Sequence, residues 1–115
     1  MAMIRVYVTT PTEVLDGGHQ GENFARCICF PIDELAAQYG VGTWTITFKR
    51  PFDTDAYEVD NTEEVGDYAV WGLDSTDTAI PGDGHVQLSY AVDDMLCKTD
   101  IYSVLILPSL AVSEA

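Results

Sequence analysis

Basic residues are scarce in this chain. Five Lys and Arg stand against nineteen Asp and Glu, a formal net charge of -14 over 115 residues. Such a surface repels nucleic-acid phosphates and anionic lipid headgroups, so neither is an expected partner. Long apolar runs are missing too. No stretch approaches the ~20 residues that a membrane-spanning helix needs. The opening MAMIRVYVTT has no basic segment followed by an apolar one, so a secretory signal is not expected. Histidine occurs only as His19 and His85, and cysteine only as Cys27, Cys29 and Cys97. A lone Cys-x-Cys without a second Cys/His pair does not make a zinc site. Two cysteines at i and i+2 on a strand share a face in a geometry poorly suited to a disulfide. Three reduced thiols are expected, which suits assembly in a cytoplasm.

What is present is enough for one folded domain. A chain of this length buries roughly two thirds of the surface its unfolded form exposes, without a metal or disulfide staple. The apolar residues recur in short alternating runs bounded by turn residues. Ile4 to Thr9 reads as a first strand, ended by Pro11, and Asp16 to Gly21 as a glycine-rich turn. Phe24 to Phe30 reads as a second strand, with Phe24, Arg26, Ile28 and Phe30 on one face and Ala25, Cys27 and Cys29 on the other. Pro31 to Gly40 is the single helical candidate, with Asp33 and Glu34 near its start and Gly40 as its stop. It spans only about two turns, so packing must hold it, with Ile32, Leu35 and Tyr39 inward.

Thr43 to Lys49 is the clearest amphipathic strand: Trp44, Ile46 and Phe48 on one face, Thr45, Thr47 and Lys49 on the other. Further strands are expected around Ala56 to Val59, Gly66 to Leu73, His85 to Val92, Met95 to Lys98 and Ile101 to Leu107. Asp60 to Glu64 reads as a solvated acidic loop, and Asp74 to Gly84 as a connection rich in turn residues. Turns every 8 to 12 residues favour an antiparallel β-sandwich over a βαβ fold. The expectation is all-β: an Ig-like antiparallel β-sandwich of seven to eight strands with one short helix, spanning residues 1–108. Residues 109–115 are expected to be a tail or the start of a linker.

No catalytic constellation stands out. His19 lies in a glycine-rich loop and His85 at a strand start. Catalysis would need one of them to meet two acidic residues in a pocket. Asp53, Asp55, Glu58 and Asp60 alternate as calcium ligands do, but the central glycine and closing glutamate are missing, so a solvated loop is expected. Asp74-Ser75-Thr76-Asp77 and Asp93-Asp94 read as turn and capping groups. Gly82-Asp83-Gly84 precedes a strand rather than a helix, so it reads as a tight turn with φ > 0 and not as a phosphate cradle. Cys27 and Cys29 have only Arg26 beside them, and burial raises a thiol's pKa, so they are not expected to be nucleophiles. Trp44 and Trp71 are assigned to the core; exposed, they would be platforms for sugars. No catalytic, cofactor-binding or metal-binding residue and no cofactor is assigned.

One resemblance bears on function. From Trp44 onward the chain carries Arg50-Pro51 after a strand, Tyr57, a Val70-Trp71 strand, Asp77-Thr78-Ala79, Gly82-x-Gly84, Val86-Gln87-Leu88-x-Tyr90, Lys98-Thr99 and a Leu107-Pro108-Ser109 exit. This succession resembles domains in tail and baseplate proteins of phages and prophages of Gram-positive hosts. It is similar to the N-terminal domain of the siphophage upper baseplate protein. The resemblance covers roughly the last two thirds of the chain. It implies a non-enzymatic assembly domain of a virion tail or baseplate, put together in the bacterial cytoplasm. Its partners would be other phage tail or baseplate proteins, with homo-oligomerisation expected in the full-length protein. The alternative is a carbohydrate- or receptor-binding β-sandwich module.

Overall fold

The computed structural model describes residues 3–9 and 12–110. Ten strands and one short helix follow in the order β1 (Ile4–Tyr7), β2 (Val14–His19), β3 (Arg26–Pro31), α1 (Asp33–Tyr39), β4 (Thr43–Lys49), β5 (Tyr57–Glu58), β6 (Thr62–Val65), β7 (Tyr68–Gly72), β8 (Gly82–Val92), β9 (Met95–Lys98) and β10 (Tyr102–Leu107). They form two sheets, β1-β3-β7-β6 and β2-β10-β8-β4-β5, with β9 paired to β8. The fold is therefore mostly β, in a sandwich-like arrangement. Most pairings are antiparallel, but β1 runs parallel to β3 and β2 runs parallel to β10.

Ten strands replace the expected seven to eight, and the two additional ones have clear causes. The glycine-rich stretch expected as a turn is mostly strand β2. Gly17 is needed there because a Cβ would stand 2.7 Å from Val104 Cγ1 on the neighbouring strand. The acidic stretch expected as a loop contains β6, an edge strand exposed along its length, which carries no alternation of burial to reveal it. The expected Pro11 stop lies outside the described residues, and β1 already ends at Tyr7. Phe24 precedes β3, with φ 56 and nearly half its surface exposed.

The core forms where the sheets face each other. Ile28 and Phe30 from β3 and Trp71 from β7 meet Ile46 and Phe48 from β4, Leu88 from β8, and Val104 and Ile106 from β10, all buried. The Trp71 and Phe48 rings span the sheets with centroids 4.8 Å apart, and Phe30 and Tyr102 do so at 5.9 Å. Such aromatic pairs add ~0.5–1.5 kcal/mol beyond their buried area. Gly82-Asp83-Gly84 lies within β8 rather than in a tight turn. Gly82 does have φ 128. Gly84 serves a different purpose: a Cβ there would stand 2.7 Å from the Phe48 ring.

Helix α1 fits the expected segment but packs more lightly. Ile32 is buried at its N-cap and Leu35 leans on the core, whereas Tyr39 is exposed. Its C-terminal end is tied down from β8, where the Tyr90 hydroxyl donates to Gly40 O at 2.7 Å and accepts from Gly42 N at 3.0 Å. That polar anchor compensates for a helix too short to persist alone.

Candidate functional site

The two histidines do not converge on acidic residues in a cavity. His19 ends β2, exposed, with its backbone N–H donating to Glu22 Oε1 at 2.9 Å. His85 lies exposed on β8, between Lys49 of β4 and Ser103 of β10. Among the described residues, no three His, Cys, Asp or Glu side chains are grouped to hold a metal ion. Asp55, Glu58 and Asp60 are solvated, and Asp53 is taken up by Arg50.

Asp77 is where sequence reasoning fell short. It does cap a turn, since Asp77 N donates to Asp74 Oδ1 at 2.9 Å and Asp74 N donates to Asp77 Oδ2 at 3.1 Å. It is also buried, and it accepts hydrogen bonds from the Tyr57 hydroxyl and from Trp71 Nε1. Burial pushes its pKa up, against the three donors that favour its charged form. Burial together with Asp77 raises the Tyr57 pKa as well. Among the described residues, no buried side-chain polar atom lacks a partner. The network is closed, so it acts as a clamp holding the 74–79 connection on the core. Trp71 is fully buried within it and presents no face to a sugar. Trp44 is half-buried at the mouth between the sheets, its Nε1 donating to Glu64 Oε1 at 2.9 Å.

The clamp supports an exposed feature. Arg50 Nε donates to Asp53 Oδ2 at 2.7 Å, and Arg50 Nη1 donates to Thr76 O at 3.3 Å. Asp53 N donates to Arg50 O at 3.1 Å, closing a turn over Arg50-Pro51-Phe52-Asp53. Pro51 is buried, and Phe52 follows with φ 65. Proline at the second position and positive φ at the third mark a type II turn, in which glycine or asparagine normally takes the third position. Here that position holds phenylalanine, with 91% of its surface exposed. Gly82 lies beneath the ring, its Cβ position 3.5 Å from Phe52 Cε2. Asp53 follows Phe52 in sequence, and exposed Asp83 follows Gly82. The chain leaves the six-stranded sheet at this end as well, since β10 pairs Ile106 with Gly82. The sequence offered one signal, Pro51 before an aromatic residue, and it points to a turn rather than to an exposed anchor.

A second surface is the outer face of the four-stranded sheet. Register places Arg5, Cys27 and Gly72 in one row, and Tyr7, Cys29, Val70 and Glu63 in the next. Met3 and Tyr68 complete a shallow cleft of about 230 Å³ over these rows. Tyr7 and Tyr68 meet edge to face at 5.2 Å. The Cys27 and Cys29 thiols share this face, 4.0 Å apart and buried. Burial, reinforced by Cys27, pushes the Cys29 thiol up to about 11. A thiol so protonated is no nucleophile at neutral pH.

No protein-family model matches this chain, and no curated protein is found as a relative.

Proposed function

We propose that this chain is a non-enzymatic docking domain of a phage or prophage tail or baseplate protein, read here as an Ig-like variant of the two-sheet sandwich. The single observation that carries docking is Phe52. A large aromatic residue at 91% exposure, in a backbone conformation that disfavours it, stands where glycine would be easier. Exposed aromatic anchors that fill a partner's pocket contribute disproportionately to protein interfaces.

The partner is a basic protein surface with an apolar socket. Phe52 supplies the plug, and the acidic excess of a chain of net charge -14 supplies the attraction for a basic partner. Direct contact between two copies of this end would bring like charges together. Homo-oligomerisation in this reading therefore proceeds through the basic partner. In this reading the domain resides in the virion tail or baseplate after assembly in the host cytoplasm.

The test is co-elution with each purified protein encoded beside it in its genome, at low and high salt. The reading expects one basic partner, with the complex lost on Phe52→Ser and weakened by salt. Binding to none of them, or binding indifferent to Phe52→Ser, overturns it.

A further inference from the structure

We propose that Cys27, Cys29 and Met3 form a three-sulfur site for one soft monovalent transition-metal ion of the Cu(I) class, on the outer face of the four-stranded sheet.

The two thiols already meet in a weak S–H···S contact and stand close enough to share one ion. Successive same-face residues on a strand are about 6.6 Å apart along the backbone, so their Cβ atoms stay well beyond the ~3.8 Å of a disulfide. Strand β3 cannot easily buckle to close that gap, because β1 and β7 pair with it on both sides. Yet the sulfurs lean together to 4.0 Å. Two sulfurs bound to one ion at ~2.3 Å, with 120° between the bonds, also stand about 4.0 Å apart. The observed spacing is that of a trigonal site with one ligand outstanding.

Met3 supplies the third sulfur. Its Sδ lies 3.3 Å from where a Cβ on Gly72 would be. Gly72 pairs directly with Cys27 across the β3–β7 ladder. The missing side chain of Gly72 is the space over which the thioether sits, at the cleft that Cys27 and Cys29 also line.

Two thiolates and a thioether are soft ligands that select Cu(I). Zinc would want four ligands, and among the described residues no third His, Cys, Asp or Glu is grouped with the pair. Binding forms two sulfur–metal thiolate bonds and one dative thioether bond. It releases two thiol protons to solvent and leaves the metal's oxidation state unchanged. The bound unit carries one negative charge. Arg5 stands in register with Cys27 on the same face and offsets that charge.

The experiment is an anaerobic titration of the reduced full chain with Cu(I), in competition with a chromophoric Cu(I) chelator. One equivalent should transfer to the protein, and X-ray absorption at the copper edge should find three sulfur neighbours. Cys27→Ala and Cys29→Ala should each abolish transfer, while Cys97→Ser leaves it intact. Met3→Leu should reduce the sulfur neighbours to two. Arg5→Gln, which acts on the ligands from outside, should weaken binding about tenfold. Circular dichroism of each variant separates lost binding from lost fold. No transfer to the wild-type chain, transfer that survives Cys27→Ala, or copper held by oxygen and nitrogen overturns the proposal. If both alanine variants unfold, the wild-type sulfur count alone decides: three supports the proposal, and fewer than three overturns it.

Discussion

The indole N–H of Trp71 donates to Oδ2 of Asp77 at 3.2 Å, and both residues are buried. A carboxylate held beneath the core's largest aromatic ring is costly unless it is fully satisfied. Trp71→Phe keeps a ring but removes that donor, leaving Asp77 to Tyr57 and Asp74. We expect a loss of about 2 kcal/mol in urea unfolding. A variant as stable as the wild type would remove Asp77 from the account of the core.

The same carboxyl sets a pH dependence. Its folded pKa is raised by burial, more than the bonds from Tyr57, Asp74 and Trp71 pull it back. A raised folded pKa gives a contribution fully present below the unfolded value near ~4, and lost as pH rises through the folded value. Stability from this group therefore falls between mildly acid and neutral pH. Urea midpoints at those two pH values should differ more in the wild type than in Asp77→Asn. An equal difference in both counts against the assignment.

Gly84 is a packing glycine. Gly84→Ala sets a methyl 2.7 Å from the Phe48 ring, in the centre of the six-stranded sheet. Overpacking of this kind costs ~1–3 kcal/mol. Phe48→Leu in the same chain frees space, so the double variant should be less damaged than the two single losses added together. Strict additivity in denaturant melts would show that the two sites do not touch.

Phe52 trades stability for an exposed anchor. Phe52→Gly relieves a non-glycine residue at φ 65 and gives up almost no buried surface. Relief of the left-handed strain exceeds glycine's extra entropy in the unfolded chain, for a gain of about 0.5–1 kcal/mol. The thermal midpoint should rise while docking is lost. A fall in the midpoint would mean that Phe52 supports the fold.

The thiols should divide into two groups in the metal-free chain. Cys97 is partly exposed, whereas Cys27 and Cys29 are buried and Cys29 is pushed up to about 11. A disulfide reagent at mildly alkaline pH should modify one thiol promptly and the other two much more slowly. Prompt reaction of all three would show that the outer face of β3 is open.

The sequence made some of this legible for physical reasons. Strand β4 was visible because Trp44, Ile46 and Phe48 alternate with polar residues and one face is buried. Helix α1 was visible from its acidic start and from Gly40. Strand β2 was hidden because Asp16-Gly17-Gly18 has turn composition, whereas Gly17 is there for close approach to Val104. Strand β6 was hidden because an edge strand with both faces wet needs no alternation. The burial of Asp77 against Tyr57 and Trp71, and the place of Met3 at the cysteine face, were out of reach. Tyr57 meets Asp77 from twenty positions away, and only strand register places Gly72 beside Cys27.

The parallel pairing of β2 with β10 has a consequence for how the chain acquires its shape. Strand β2 lies at the edge of its sheet, and its one neighbour is β10, far later in the sequence. On a ribosome, Leu15 emerges early and has nowhere to go until Val104 and Ile106 have been made. The six-stranded sheet thus cannot close from β2 forward, and its completion waits until β10 has been made. Contacts of such long range slow the search and prolong the exposure of sticky intermediates. The acidic excess acts during that interval, when mutual repulsion between unfinished chains is their chief protection from one another.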